Sequence, residues 1–147
     1  MMKYKSIEKQ MKIVLDANIF ISAFFWGGNP RLVLERVISG KDELYVTKEI
    51  LDEIESVMGR PKFHMNKEKV DYLISSIEEI ANKIVPKRKV INGSRDKTDN
   101  KYIECAITAN VDYIVSGDVH LLELKKYKNV KIVTAKDYLE NREQSTK

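Results

Sequence analysis

The sequence has 147 residues, of which 43% are hydrophobic and 33% are charged, and its formal net charge is +4. These values are typical of one globular domain, and the mild basic excess permits an anionic partner without requiring one. A single cysteine, Cys105, excludes a disulfide framework and a cysteine zinc site. No apolar run approaches the roughly 18 residues of a membrane span, and the polar start lacks the apolar segment of a signal peptide. We therefore expect a cytoplasmic protein.

The chain begins with a polar segment and then reaches its first predicted strand. Residues 1–10, MMKYKSIEKQ, are expected to be an N-terminal extension outside the fold. KIVL at 12–15 has the β-branched, apolar composition of a buried strand. Pro30 suits the first position of a helix, and LYV at 44–46 is the next predicted strand. The first third of the chain is thus predicted to run strand, helix, strand.

Two capped helices are predicted in the middle of the chain. Thr47 can cap a helix with a clear apolar repeat, which ends before Pro61. Asn66 can cap the next and longer helix. A further strand around 85–91 is considered, but Pro86 weakens it because proline lacks the N–H that a strand ladder requires.

The last third of the chain is predicted to contain one helix and two strands. Residues 92–100, NGSRDKTDN, have the composition of a loop, and Thr98 precedes a helix. YIVS at 113–116 and KIV at 131–133 are the two predicted strands. The closing residues 140–147, ENREQSTK, are expected to form a frayed C-terminal tail.

The alternation of strands and helices across residues 11–139 predicts a three-layer α/β/α sandwich. Its central parallel sheet is expected to hold four to five strands, buried on both faces. In such sheets, binding and catalytic sites lie beyond the carboxyl ends of the strands. The polar residues at those strand ends are therefore the first candidates for function.

Two aspartates occupy such strand ends. Asp16 directly follows the first strand, and Asp118 follows the strand at 113–116 across Gly117. In a parallel sheet both carboxylates would lie on the same rim. A carboxylate placed there is costly unless a cation or a set of hydrogen-bond donors meets it. Asp16 is either the cap of the next helix or a metal ligand, and Asp118 suits a turn equally well.

Helical periodicity adds two further acids. Asp99 heads the apolar stripe of its helix and is expected to face inward, where a helix N-terminus favours negative charge. An earlier stripe has Glu53 on one border and Glu55 on the other, with Asp52 nearly opposite, so periodicity demotes Asp52 without choosing between the glutamates. Converging carboxylates repel one another unless a cation joins them, and oxygen-only ligands favour Mg²⁺ or Mn²⁺.

An aromatic cluster and two histidines complete the candidates. Phe24, Phe25 and Trp26 could stack on nucleotide bases. We favour partial burial of this cluster instead, with Trp26 at the edge of an oligomer or partner surface. His64 and His120 are far apart in sequence and are expected to be surface residues.

Four segments taken together resemble the PIN domain, the nuclease domain of many VapC-like toxins in prokaryotic toxin–antitoxin systems. Each segment is weak alone, but their order and spacing are specific, and the resemblance runs from about residue 11 to about residue 139. The segments are VLDANIFISA (14–23), TKEILDEIESVMGRPKF (47–63), DKTDNKYIECAITANVDYIVSGDVHLL (96–122) and VKIVTAKDYL (130–139).

The resemblance implies a metal-dependent endoribonuclease that hydrolyses RNA phosphodiester bonds with Mg²⁺ or Mn²⁺. It selects Glu53 over Glu55. The implied metal ligands and catalytic residues are Asp16, Glu53, Asp99 and Asp118, and the implied substrate-binding or supporting residues are Asn18, Thr47, Asp96 and Ser116.

The sequence departs from the resemblance in one loop. Relatives often read Asp-Pro-Asp-Asp-Asn where residues 96–100 here read Asp-Lys-Thr-Asp-Asn. Lys97 and Thr98 thus replace a proline and an acid, which puts an accessory ligand role of this loop in doubt. Asp99 is retained, and Asp96 remains available.

The resemblance also implies partners: an RNA substrate, a cognate antitoxin protein and a homodimer. Salt-sensitive contacts to the phosphate backbone could come from basic residues, namely Arg31, Lys62, Arg88, Lys89, Arg95 and Lys97. The competing interpretation is a PIN fold that serves as a nucleic-acid or protein binding module with weak or no catalytic activity. The complete set of acids favours the enzyme. A nucleotide-binding α/β domain fits poorly, because the sequence has no glycine-rich phosphate loop.

Overall fold

A six-stranded sheet flanked by helices forms the centre of the structure, a computed structural model that describes residues 9–87, 93 and 97–145. The strands are β1 (Met11–Leu15), β2 (Asp42–Val46), β3 (Ala81–Lys83), β4 (Tyr113–Val115), β5 (Lys126–Tyr127) and β6 (Val130–Val133). Their order in the sheet is β3-β2-β1-β4-β6-β5. The first five in this order are parallel, and only β5 pairs antiparallel, with β6. The prediction of an α/β fold around a parallel sheet is confirmed.

Seven helices connect the strands within the described residues. They are α1 (Ala17–Phe25), α2 (Gly28–Ile38), α3 (Lys48–Met58), α4 (Lys67–Ile80), α5 (Asn100–Ala109), α6 (Val119–Leu122) and α7 (Ala135–Ser145), with short 3-10 turns at Pro61–Phe63 and Lys97–Asp99. The predicted caps of α3 and α4 are present: Thr47 Oγ1 accepts from Ile50 N at 3.2 Å, and Asn66 Oδ1 accepts from Lys69 N at 2.8 Å. None of these helices is both long and apolar enough to cross a lipid bilayer.

The central strand β1 is buried on both of its faces. Ile13, Val14 and Leu15 are each 0% exposed, and consecutive residues of a strand point to opposite faces of the sheet. Apolar layers must therefore cover both sides of β1, as predicted from its uninterrupted apolar composition.

The order of the strands reverses between β1 and β4. The chain moves from β1 to β2 and β3 on one side, then returns to place β4 on the other side of β1. Leu15 pairs with Val115, so the two strands end side by side. In parallel α/β sheets the crevice at such a reversal point is the usual place for a binding or catalytic site.

The boundaries differ from the sequence prediction in several places. The sheet has six strands rather than four to five, because the two-residue β5 is too short to be seen as a strand pattern. The third strand lies at Ala81–Lys83 instead of around 85–91, and residues 88–91 lie outside the described residues. Helix α2 begins at Gly28, two residues before Pro30, after Gly27 turns the chain with φ +79°. Helix α5 follows Thr98 as predicted, beginning at Asn100 with Asp99 as its N-cap.

Near the amino ends of β1 and β2, helix α7 contacts the first residues that the structure describes. Helix α7 runs through residues 140–145, where the sequence predicts a frayed tail. It is held by tertiary contacts: Tyr138 is fully buried and Arg142 is 3% exposed, with its guanidinium donating to the Lys9 carbonyl. Residues 1–8 of the predicted extension lie outside the described residues.

A buried carboxylate fastens this end of the molecule. Asp42, at the start of β2, is 2% exposed, and its Oδ2 accepts from Arg36 Nε and from Tyr138 Oη, both at 2.7 Å. Its Oδ1 accepts from Met11 N at 3.3 Å. One side chain thus joins β1, β2, α2 and α7.

Cys105 is expected to be unreactive in the folded protein. The thiol lies in the core at 0% exposure, and burial raises its pKa to about 12, whereas only the thiolate is nucleophilic. A chromogenic disulfide reagent at about pH 8 should label the native chain very slowly and label one thiol per chain at once in denaturant. Rapid labelling without denaturant would show that α5 is less firmly packed than the structure indicates.

Candidate functional site

A small polar pocket of about 130 Å³ opens at the point where the strand order reverses. All four predicted acids contribute to its wall. The lining residues are Asp16, Ala17, Asn18, Glu53, Asp99, Tyr102 and Asp118. A larger cavity of about 490 Å³ lies between α2 and α7, so it is the concentration of carboxylates, not size, that singles out the smaller pocket.

Asp16 is held at the end of β1 by three donors. Its Oδ1 accepts from Ile19 N at 3.0 Å, which caps α1, and its Oδ2 accepts from Ser116 Oγ and from Gly117 N, the latter at 3.2 Å. The residue is only 3% exposed. Burial raises the pKa of Asp16, the negative charge of Asp118 adds to the rise, and the three hydrogen bonds oppose it. The capping alternative is therefore realised, and it coexists with a place in the pocket wall.

Asp118 forms the neighbouring part of the wall after β4, and Ser116 lies behind it. Asp118 Oδ1 accepts from His120 N at 2.7 Å and from Leu121 N at 3.3 Å, so it also caps a helix. Ser116 Oγ accepts from Asp118 N at 2.9 Å while it donates to Asp16. Ser116 thereby fixes the spacing of the two aspartates across the β1–β4 pair.

Glu53 reaches the pocket from the middle of α3, whereas Glu55 is exposed. Glu53 Oε1 accepts from Tyr102 Oη at 2.6 Å and is paired with Lys101 Nζ at 2.9 Å. Tyr102 Oη also accepts from Ala17 N at 3.1 Å. Burial and the adjacent glutamate raise the pKa of Tyr102, so its hydroxyl keeps the proton that it donates.

Asp99 completes the acidic wall from the start of α5. It is 8% exposed, and its side chain does not make the usual capping hydrogen bond to its own helix. Asp16, Asp99 and Asp118 each stand at the first residue before a helix. The partial positive charge of those helix ends offsets part of the repulsion among the carboxylates.

The remaining predicted site residues are distributed differently. Asn18 lines the pocket and is exposed, while Ser116 supports it through Asp16. Thr47 is 1% exposed, caps α3 and is not among the pocket-lining residues. Asp96 lies outside the described residues.

The chemistry of this donor set fits a hard divalent cation. Four carboxylates supply only oxygen ligands, which suit Mg²⁺ or Mn²⁺ better than zinc. In the structure, oxygens of Asp16, Glu53 and Asp118 accept from donors of the protein itself, such as Ser116, Tyr102 and the amide of His120. Accordingly, no three His, Cys, Asp or Glu side chains within the described part of the chain stand in a ready metal-holding group.

Sequence reasoning missed Tyr102 and Lys101. Both lie just after Asp99, and Tyr102 counts in the sequence only as one member of an apolar stripe. A usable signal was present, because the hydroxyl of a buried tyrosine normally needs a polar partner. Its position three residues after an inward-facing acid pointed to the same pocket.

Tyr102→Phe is expected to lower any activity of the pocket by about 10- to 100-fold, because removing a residue that orients a ligand has effects of that size. Loss of the hydroxyl also leaves Ala17 N and Glu53 without this partner, at a cost of about 1–3 kcal/mol in unfolding free energy. The turnover rate and a urea titration of both proteins measure the two effects.

Tyr45→Phe is the matched control for this substitution. It removes another tyrosine–glutamate hydrogen bond, from Tyr45 Oη to Glu43 at 3.4 Å, outside the pocket. An equal loss of activity in both variants would argue against a specific role of Tyr102.

The comparisons with known proteins agree on the fold. A family model described as the PIN domain matches residues 12–120. No curated protein matches the sequence. Among solved structures, a chain of VapBC2 from Rickettsia felis, bound to a DNA fragment from their promoter, aligns with a TM-score of 0.58 and 16% identity. The alignment covers 83% of this chain and 97% of that chain, and at such low identity it is a likeness of fold alone.

Proposed function

The chain belongs to the PIN domain family, and from this premise we propose that it is a metal-dependent endoribonuclease that hydrolyses RNA phosphodiester bonds. One observation carries the proposal: carboxylates from α3 and from the starts of α1, α5 and α6 line a single pocket. Bringing several negatively charged carboxylates together costs electrostatic free energy, and a cation that binds between them offsets this repulsion.

The proposed roles follow from the positions of the acids. Asp16, Asp99 and Asp118 would hold one or two Mg²⁺ or Mn²⁺ ions, and Glu53 would hold a second ion or orient a water molecule. When bound, such an ion supplies Lewis acidity and lowers the pKa of a water molecule toward neutrality.

The chain's own residues prepare the pocket for that chemistry. Ser116 and the amide of Gly117 keep Asp16 in place, and Tyr102 keeps Glu53 directed to the pocket. Glu53 is more exposed than the buried Asp16 and Asp99, which favours it over those two as a proton acceptor. Its pairing with Lys101 would have to loosen before Glu53 could take either role.

A second candidate function is a PIN-fold binding module with weak or no catalysis. The observation that favours it is the Lys101–Glu53 ion pair at 2.9 Å, in which Lys101 is only 11% exposed and neutralises one acid of the pocket. In that case the pocket would bind metal weakly, and the protein would act through contacts with a nucleic acid or another protein.

The decisive experiment is cleavage of a panel of single-stranded RNAs with Mg²⁺, with Mn²⁺ and with a chelator. The nuclease proposal expects cleavage only with metal, and it expects Lys101→Met to leave cleavage intact or to increase it. Intact RNA under every condition, together with measurable RNA binding, would favour the binding module.

We also propose a protein partner, by family relationship. PIN domain toxins act with a cognate antitoxin, and the structurally similar VapBC2 is a complex bound to promoter DNA. A protein encoded beside this chain is expected to co-purify with it and to suppress its cleavage of RNA. A homodimer is expected as well, and sedimentation of the purified chain measures it.

A further inference from the structure

Three aromatic rings and one cation form a surface platform at the far end of α1. The rings of Phe25 and Phe63 are stacked, with centroids 4.7 Å apart and planes inclined by 27°. Trp26 meets Phe63 edge-on at 6.3 Å, and Lys62 Nζ lies 5.1 Å from the centre of the Phe63 ring. We call these four residues, Phe25, Trp26, Lys62 and Phe63, the aromatic platform.

The platform is exposed, yet its backbone is firmly held. Trp26 is 70% exposed, whereas Phe25 and Phe63 are half-buried against the core. Trp26 N donates to Ser22 O at 2.9 Å, and Gly27 then turns the chain with φ +79°. Because the backbone and the neighbouring rings are already held in place, stacking a base on the indole should cost little further conformational entropy. The predicted partial burial of the cluster holds for Phe24 and Phe25, whereas Trp26 is exposed, and its predicted place at the edge of an oligomer or partner surface stays a prediction.

The charge around the platform is positive, in contrast with the pocket. Lys62 is exposed, and so is Arg60 at the start of the same short 3-10 turn. The segment RPKFH, residues 60–64, contains no acid. Exposed aromatic rings beside cations are the recurrent surface for single-stranded nucleic acid, where rings stack on bases and cations meet phosphates.

Helix α1 connects the platform directly to the acidic pocket. Asp16 is its N-cap and Trp26 is its C-cap. With a rise of about 1.5 Å per residue, the helix sets the two residues about 15 Å apart. A strand that occupies the pocket could reach the platform within a few nucleotides.

We propose that the aromatic platform stacks bases of single-stranded RNA and positions the strand that enters the acidic pocket. The positioning role rests on the proposed nuclease function, whereas binding of the strand does not. Stacking on the rings is tolerant of base identity, because every base has an aromatic face. The platform would therefore favour unpaired strands over duplexes rather than select a sequence.

The single tryptophan of the chain makes the binding directly observable. Trp26 is the only tryptophan, so all indole fluorescence comes from the platform. Titration of the full-length protein with short oligouridine and oligoadenosine, in a chelator to prevent cleavage, should quench this fluorescence. A perfect RNA duplex of the same length should quench it much less.

Three variants and one control separate stacking from a merely structural effect. Trp26→Ala should weaken strand binding, measured by anisotropy of a labelled RNA, by about 5- to 150-fold, and Trp26→Phe should restore most of it. Lys62→Met should reduce the slope of log affinity against log salt by about 0.7. Tyr72→Ala is the matched control, because Tyr72 is also 70% exposed but lies on α4, outside the platform.

The outcomes distinguish this inference from the proposed function. Quenching without cleavage in any metal would support the platform and overturn the nuclease. Cleavage with unchanged RNA affinity in Trp26→Ala would overturn the platform and leave the nuclease standing. If Trp26→Ala instead converts a dimer to a monomer and leaves RNA affinity unchanged, the platform is a protein contact and the inference is wrong.

Discussion

Asp16→Asn is expected to lower metal-dependent cleavage of RNA by at least about 10²-fold while the chain stays folded. Loss of a carboxylate that helps to hold a divalent ion forfeits several kcal/mol of transition-state stabilisation, and each 1.36 kcal/mol corresponds to about tenfold in rate. Single-turnover cleavage of a labelled RNA with Mg²⁺ measures the effect. Cleavage by the variant at the parental rate would mean that the activity comes from a contaminating nuclease or that the active site lies elsewhere.

Asp16→Asn should leave the protein folded, and the pH dependence of the stability that Asp16 contributes explains why. Burial raises the pKa of Asp16 in the folded state above its unfolded value. The stability that this group contributes is thus present at low pH and is lost as the pH rises through the folded pKa. Above that folded pKa the charge on Asp16 opposes folding, and asparagine carries no such charge.

Asparagine can also keep the hydrogen bond from Ile19 N that caps α1. We therefore expect the unfolding free energies of the two proteins to agree within about 1.5 kcal/mol near neutral pH. As the pH falls, the unfolding free energy of the parental protein should rise relative to that of Asp16→Asn. Urea titrations at several pH values measure this shift, and a variant that is strongly destabilised at neutral pH would contradict it.

Addition of Mn²⁺ supplies a test that does not depend on activity. An ion at 100 times its dissociation constant stabilises the folded state by about 2.7 kcal/mol, which raises the Tm of a chain of this size by roughly 5–10 °C. The parental protein should show this rise, and Asp16→Asn should lose most of it. Glu55→Gln is the matched control, because Glu55 is an exposed acid outside the pocket.

Asp42→Ala is expected to destabilise the protein by about 3–5 kcal/mol, the cost of removing one partner of a buried ion pair. Asp42 accepts from Arg36, Tyr138 and Met11 N, and the Arg36 side chain is only 14% exposed. Removal of the carboxylate leaves a buried cation and a buried hydroxyl without this acceptor. Urea denaturation gives the free energy, and the Tm should fall by about 10 °C or more.

Asp71→Ala is the comparison for this experiment. Asp71 pairs with Lys67 at 2.9 Å on the surface of α4, where both side chains are at least half exposed, and such pairs contribute only about 0.2–1 kcal/mol. Similar losses in the two variants would mean that the Asp42 cluster is no stronger than a surface pair.

The part of the site that depends on strand ends could be predicted from sequence. Asp16 and Asp118 follow apolar strands, and parallel strands end on the same edge, so their proximity follows from the fold class. Asp99 follows from helical periodicity in the same way. The caps at Thr47 and Asn66 are equally local features, and both are present.

Contacts that depend on tertiary packing could not be predicted. Periodicity leaves Glu53 and Glu55 equivalent, and although the family resemblance selects Glu53, its contacts with Tyr102 and Lys101 of α5 appear only in the folded chain. Helix α7 is polar in composition, and its order comes from Tyr138 reaching Asp42, which lies 96 positions earlier in the chain. The exposure of each ring of the Phe24–Trp26 cluster is likewise decided by tertiary neighbours such as Phe63, which the sequence places far from it.

The hydrogen bond between Ser116 and Asp16 has a consequence for biosynthesis, since it joins residues 100 positions apart. A chain emerging from the ribosome presents Asp16 and Glu53 long before Asp99 and Asp118. Such distant contacts form late, after the closure entropy of the intervening loop has been overcome. We therefore expect a nascent chain that stops short of β4 to lack the assembled pocket, so that any catalysis by the pocket has to wait until Asp118 has been synthesised and β4 has paired with β1.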